Sequence, residues 1–352
     1  MFITGLGTAI PPHRYTQVQC WEAFQRAEPF ARLDQRARIT LQRVLLRDNG
    51  IHTRSLALES LHEAFELDPD TLHRRFAVHA PVLATHAAHE ALREAGVRPW
   101  DVDAVIVSTC TGYLCPGLTG RVAERLGLRP DVLALDLVGQ GCGAALPNLR
   151  TAEALLSAGR CEKVLSICVE VCSAAFYLDN DPGVLISACL FGDGAGAALL
   201  SAAADSEMRR VEWKSAFSLN NPAEREALRF EQRGGMLRNI LTPQVPALAA
   251  GHAEIVLDQA LQEAGISRSD IGVWIWHPGG RKVLEALRER LGLTSTDIHW
   301  SSQVLSEFGN LSSPSVYFVL RAALRGNAAC GWWWMSSFGA GFSCHGALLK
   351  VA

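Results

Sequence analysis

The chain repeats itself. Residues 91–110 read ALREAGVRPWDVDAVIVSTC and residues 260–279 read ALQEAGISRSDIGVWIWHPG, identical at seven of twenty positions without a gap. Each segment predicts a helix ending in Ala-Gly, a short polar link and an apolar strand. FGDGAGAALL at 191–200 returns as FGAGFSCHGALL at 338–349, with two residues inserted. Between these pairs lie GCGAALPNLRTAEALLSAG (141–159) and GNLSSPSVYFVLRAALRG (309–326). Both predict helices entered through a Gly-X step, and each is followed by an apolar strand, KVLSICVEV or CGWWWMSSF. Three matches in one order define a duplication. Strands this apolar need helices on both faces. Two halves of helix, strand, helix, strand and strand therefore predict an α/β body, layered αβαβα, with pseudo-twofold symmetry. The halves are expected at 1–205 and 206–352.

Composition narrows the function. Lys and Arg number 33 against 36 Asp and Glu, a net charge of -3. No basic excess points to nucleic acid or to an anionic membrane surface. The longest apolar runs fall short of the roughly 18–20 residues that span a bilayer, and MFITGLGTAIPPHRY lacks the basic n-region and long h-region of a secretory signal. Ten cysteines occur with no CxxC pair and no Cys/His spacing of a zinc site. The reading is a soluble cytoplasmic protein with reduced thiols and no metal.

Three residues stand out. Cys142 follows the strand-like VLALDLV and sits in a Gly-rich turn before a helix. That pattern resembles a nucleophile elbow, and a helix start favours the thiolate. His277 ends the strand VWIW and precedes Pro278, Gly279 and Gly280; at the mouth of a sheet an imidazole can move a proton or donate to an oxyanion. Asn310 opens the helix equivalent to that of Cys142. Its carboxamide suits an N-cap, or a hydrogen bond to an enolate oxygen. Pseudo-twofold symmetry brings the Cys142 and Asn310 helix starts toward one centre, within reach of His277.

GQGCGAALPNL, WHPGG, SEFGNLSSPS and SFGAGF, with GLGTAIPPHRY and FGDGAGA, resemble the type III polyketide synthases, the chalcone-synthase-like enzymes of the thiolase superfamily. The resemblance covers nearly the whole chain. It implies a thiolase-like fold, a homodimer, no cofactor, and acyl-CoA and malonyl-CoA as substrates. It implies Cys142 as the acyl-accepting nucleophile, His277 as the partner of its thiolate, and His277 with Asn310 holding the malonyl thioester carbonyl during decarboxylation. Phe191 matches the gatekeeping phenylalanine between the coenzyme A tunnel and the acyl cavity. Ser312 and Glu170 match positions that choose the cyclisation. Cys115 matches a residue that reaches across the dimer interface. Cys110, Cys172 and Ala175 match cavity-lining positions, and Cys110 replaces the hydroxyl residue of plant members.

Small residues at those three positions predict room for a long acyl chain. RFEQRGGMLRNILTPQVPAL also resembles bacterial members that use fatty starters. The expectation is a long-chain alkylresorcinol or alkylpyrone synthase. Arg43, Arg47, Arg281 and Lys282 are candidates for coenzyme A phosphates, and the segment 20–80 is expected to form surface helices over the tunnel. The rivals are a β-ketoacyl synthase III, which shares the chemistry but has other residues after the histidine and asparagine, an acyltransferase or thioester hydrolase, and a silent scaffold. An intact Cys, His and Asn set argues against the last two.

Overall fold

The computed structural model describes residues 1–204 and 209–352, so the expected boundary between 205 and 206 lies outside the described residues. The strands are β1 (Phe2–Ala9), β2 (Arg14–Thr16), β3 (Thr53–Ser55), β4 (Ala104–Thr109), β5 (Leu133–Val138), β6 (Lys163–Glu170), β7 (Gly194–Ser201), β8 (Val211–Asn220), β9 (Leu228–Arg233), β10 (Met236–Leu241), β11 (Ile271–Trp276), β12 (Gly331–Gly339) and β13 (Ser343–Val351). The helices are α1 (Gln17–Arg26), α2 (Glu28–Ala31), α3 (Gln35–Leu46), α4 (Pro69–Glu94), α5 (Leu118–Leu126), α6 (Ala145–Ser157), α7 (Pro182–Leu190), α8 (Val245–Ala264), α9 (Arg281–Leu291), α10 (His299–Phe308) and α11 (Ser315–Arg325).

Nine strands hydrogen-bond in the order β11-β12-β13-β8-β1-β7-β6-β4-β5. The duplication is visible in the pairings. Parallel β4 and β6 correspond to parallel β11 and β12. Antiparallel β6 and β7 correspond to β12 and β13, and β7 and β1 to β13 and β8. The equivalent strands β1 and β8 meet antiparallel through only two residue pairs, Phe2 with Glu212 and Ile3 with Val211. The pseudo-twofold axis passes through that junction.

Five layers follow. Helices α4 and α5 cover the outside of the first half, and α8 covers the second with α9 packed on it. Between the halves, α6 rests on β4 and β6 and reaches β12 and β13, while α11 rests on β11 and β12 and reaches β1 and β7. A central core joins α6 and α11 to strand residues of both halves, including Ile106, Ile275, Met335 and Leu349. Separate cores lie under α4 and under α8.

The repeated Ala-Gly is a shared helix stop. Gly96 and Gly265 both adopt φ +64°, a left-handed conformation that suits a residue without Cβ. The next N–H groups close the same bond, Val97 to the Leu92 carbonyl at 3.0 Å and Ile266 to that of Leu261 at 3.1 Å. A one-turn 3-10 segment and an apolar strand, β4 or β11, follow in both halves.

The halves differ after α5 and α9. The first half adds β5 at the sheet edge, and the second folds α10 instead. HWSSQVLSEF buries Ser301, Val304 and Leu305, the spacing of one helix face. The 228–241 segment makes an antiparallel β9–β10 hairpin through Gly234 and Gly235, both at positive φ, and packs on α7.

Candidate active site

The nucleophile turn is built from glycine. β5 runs into Gly139 at φ +82° and Gly141 at φ +56°, and Cys142 sits on the 3-10 turn Gly141–Gly143 before α6. A Cβ on Gly143 would lie 3.0 Å from the Gly339 nitrogen, so the turn packs directly on the end of β12. Cys142 is half-buried, and its Sγ accepts a hydrogen bond from the Ser312 hydroxyl at 3.2 Å. Burial pushes the thiol up to about 12, against the pull of the Ser312 hydrogen bond and with the charge of Glu170 adding to it. Desolvation acts against the thiolate that a helix start would favour, and α6 itself begins only at Ala145.

His277 extends β11 by one residue, donating its N–H to the Ser336 carbonyl at 2.8 Å. Its ring is 3% exposed, with Phe338 beside it at 6.5 Å between centroids, and Nδ1 has no hydrogen-bond partner. Burial lowers its pKa to about 4, so the resting imidazole is neutral. Nε2 lies against Gly279, where a Cβ would come within 3.4 Å.

Asn310 is held on every side. Its N–H donates to Leu190 at 2.9 Å, and its carbonyl accepts from Gly192 at 3.0 Å, flanking Phe191. Its Nδ2 donates to the Gly279 carbonyl at 3.1 Å, and its Oδ1 accepts from the Ser312 N–H at 2.8 Å. This is an Asx turn rather than an N-cap. It fixes which amide atom is the donor and leaves one N–H for a ligand. Ser312 adopts φ +60°, a conformation that residues with a Cβ rarely take.

An unbroken run of contacts therefore links His277, Gly279, Asn310, Ser312 and Cys142. No hydrogen bond joins Cys142 to His277 directly; the thiol is engaged by Ser312. Behind Ser312 lies Glu170, fully buried at the end of β6. It accepts hydrogen bonds from Ser313 at 2.6 Å, Thr111 at 2.9 Å, the Cys110 N–H at 3.0 Å and Thr109 at 3.2 Å, and more weakly from Ser312 at 3.4 Å. Burial raises its pKa, with those donors opposing. The Cys110 thiol reaches both Glu170 at 3.3 Å and Ser312 at 3.6 Å.

A cavity of about 410 Å³, including its mouth, opens beside Cys142. Cys172, Ala175, Phe191 and Ser312 line it; Cys110 does not, and its thiol reaches Glu170. Four aromatic residues, Phe176, Tyr177, Phe191 and Phe230, narrow the space that the small residues open. Phe230 and Asn239 come from the β9–β10 hairpin and were missed in the sequence. The Gly-Gly turn announces the hairpin, but nothing local says which face meets the cavity. Arg43, Arg47, Arg281 and Lys282 are all exposed. Arg281 already pairs with Asp48 and Glu285, joining the end of α3 to the start of α9.

This architecture and the converging thiol, imidazole and carboxamide define a thiolase-like condensing enzyme. The family model of FAE1/type III polyketide synthase-like proteins matches residues 11–222, and that of the chalcone and stilbene synthase C-terminal domain matches 220–352. The chain belongs to the type III polyketide synthases. It is 31% identical to a 3,5-dihydroxyphenylacetyl-CoA synthase of Streptomyces toyocaensis, over 92% of this chain and 82% of that one. It is 30% identical to the alpha-pyrone synthesis polyketide synthase-like Pks18 of Mycobacterium tuberculosis, over 92% and 83%. The solved structure of PKS-I from the brown alga Ectocarpus siliculosus superposes with a TM-score of 0.92 at 24% identity, covering 99% and 98% of the two chains. The 1,3,6,8-tetrahydroxynaphthalene synthase of Streptomyces coelicolor A3(2) gives 0.91 at 21%, covering 100% and 99%. The chain is thus a transferase acting on acyl-CoA and malonyl-CoA in a family that needs no cofactor. Among the described residues no helix is long and apolar enough to cross a membrane.

Proposed function

We propose that this synthase loads a long-chain fatty acyl group from coenzyme A onto Cys142, extends it repeatedly with malonyl-CoA and closes the product to an alkylresorcinol or alkylpyrone. The observation that carries the assignment of roles is the run of contacts from His277 through Gly279 and Asn310 to Ser312 and Cys142, the last two of which line a largely apolar cavity. One half, 1–205, supplies the nucleophile, and the other, 206–352, supplies the imidazole and carboxamide.

The chemistry follows from the protonation states. Thiol and imidazole rest neutral, so loading begins with transfer of the Cys142 proton to His277. The thiolate attacks the acyl thioester carbon, and the departing coenzyme A sulfur takes that proton back. Malonyl-CoA then enters. Neutral N–H donors from His277 and Asn310 hold its thioester carbonyl while the bond to the carboxylate breaks, releasing CO2 and leaving an enolate. The enolate carbon attacks the Cys142 thioester and expels the thiolate, lengthening the chain by two carbons. The fatty starter is supported by Cys172 and Ala175 in the cavity wall.

A cytoplasmic homodimer is the proposed working form. Its support is the exposed edge strand β5 with Leu133 and Val138 outward, the 69% exposed Tyr113 nearby in sequence, the exposed Cys115, and ten free thiols. Mass spectrometry of products from acyl-CoA starters of increasing length tests the substrate. Alkylated tri- or tetraketide rings from starters of ten or more carbons are expected. Turnover of short or aromatic starters alone would overturn the fatty assignment, and a single condensation onto an acyl carrier protein would return the ketoacyl-synthase rival.

A further inference from the structure

One polar side chain in the wall of the cavity at Cys142 is left without a partner. Asn239 is 7% exposed, and its Oδ1 has no hydrogen-bond partner. We propose that this carboxamide is a specificity-determining group: its oxygen receives the enol hydroxyl of an extended chain on Cys142, an O–H that the acyl starter lacks. This rests on the reading of Cys142 as the acyl-bearing residue, and not on the length of the starter.

Three observations carry it. The first is the register of the β9–β10 hairpin. Asn239 stands opposite Phe230, and both line the cavity. The neighbouring pair, Arg238 and Glu231, belongs to the other face. The second is how that other face is held. Arg238 donates to Asp179 at 2.7 Å and to Glu231 at 2.9 Å, and reaches Asp181 at 3.5 Å. Asp181 in turn caps α7, accepting from the Gly183 N–H at 2.8 Å. A Cβ on Gly183 would collide with the Leu241 carbonyl, so β10 rests directly on α7. Asn239 is thus placed from behind, without engaging its own carboxamide oxygen. The third is the contrast with three hydroxyls of the same wall. Thr111 is engaged with Glu170 at 2.9 Å, Ser187 with the Gly183 carbonyl at 2.9 Å, and Ser312 with Cys142 at 3.2 Å. A buried carbonyl without a donor is destabilising, and a ligand O–H relieves it. An alkyl starter has none. Each condensation turns the thioester carbonyl of the chain into a 3-keto group, whose enol tautomer carries an O–H. The site therefore distinguishes extended chains from the starter.

Loading by 3-oxooctanoyl-CoA and by octanoyl-CoA, each without malonyl-CoA, tests the proposal. The burst of free coenzyme A gives a rate constant for each, and their ratio is the readout. Asn239→Leu is expected to lower that ratio about tenfold, the worth of one hydrogen bond. General damage to the site enters both rates and cancels. Asn239→Asp keeps an acceptor oxygen in either protonation state and is expected to hold the ratio near that of the wild type. 2,2-Dimethyl-3-oxooctanoyl-CoA cannot form the enol between its carbonyls, so Asn239→Leu should leave its ratio to octanoyl-CoA unchanged. An unchanged 3-oxooctanoyl ratio in Asn239→Leu, or an equal fall with the dimethyl compound, would overturn the proposal. Should Asn239→Leu not fold, Asn239→Ala carries the same expectations. The underlying readings fail separately. Coenzyme A release that persists in Cys142→Ala would remove the acyl-bearing role of Cys142. Wild-type protein that is not loaded by octanoyl-CoA would count against the fatty starter alone, and acetoacetyl-CoA with acetyl-CoA then gives the same ratio.

Discussion

The two halves present equivalent helix starts to one centre, and they treat them in opposite ways. At α6, the turn Gly141–Gly143 leaves the Cys142 sulfur with a single hydrogen bond, from Ser312. At α11, Asn310 is fixed by two backbone and two side-chain hydrogen bonds. A nucleophile has to move between a resting thiol, a thiolate and a thioester, so it needs few ties. A donor to a developing anion works best when its position is set beforehand. Duplication supplied two equivalent scaffolds, and divergence made one mobile in its chemistry and the other rigid in its geometry.

The largest expected break in this contrast comes from the mobile side. Cys142→Ser should reduce loading by about 10⁴-fold or more, because an alcohol is far less ionised than a thiol at neutral pH; release of free coenzyme A from acyl-CoA measures it. On the rigid side, Asn310→Ala should slow CO2 release from labelled malonyl-CoA by about 10²–10³-fold while loading changes much less. Equal loss in both steps would contradict a role confined to the enolate. Ser312→Ala sits between the two sides. It removes the hydrogen bond that favours the thiolate, so alkylation of Cys142 by iodoacetamide at pH 8 should slow about tenfold, and faster alkylation would refute that role.

The smallest effect concerns acid stability. His277 and His345 are both buried, with pKa values lowered to about 4. Unfolded histidine titrates near 6.5, so between these values the unfolded chain binds more protons. Stability is therefore lost as pH falls from about 6.5 to 4, by roughly 2–3 kcal/mol for each imidazole. His345 accepts from or donates to Ser218 at 2.8 Å and lies beside Gly143 of the nucleophile turn. His345→Gln should flatten the fall in Tm over that window, and an unchanged slope would show that its burial is relieved on protonation.

Much of the fold was legible because the duplication is written in residues with a single structural use. Ala-Gly at 95–96 and 264–265 reads as a helix stop in both halves, and both glycines take the same left-handed conformation. The apolar runs KVLSICVE and GWWWMSSFG lie where fully covered strands must lie. Replacement of an edge strand by α10 was not foreseen, since the repeat matches skip that stretch. In the candidate site, the turns around Cys142, His277 and Asn310 single these residues out in the sequence. The Phe230 and Asn239 contribution was hidden, because the docking of a short hairpin is decided by long-range packing on α7. The neutral thiol was hidden for a related reason: local sequence reveals the helix dipole, whereas burial is a property of the assembled chamber.

One measurement bears on the central claim more directly than any other. The wild-type protein is incubated with an acyl-CoA in the absence of malonyl-CoA, digested, and mapped by tandem mass spectrometry. The account predicts a single acyl group, in thioester linkage to Cys142. An acyl group on Cys110 or Cys172 instead, or none on any thiol, would contradict it.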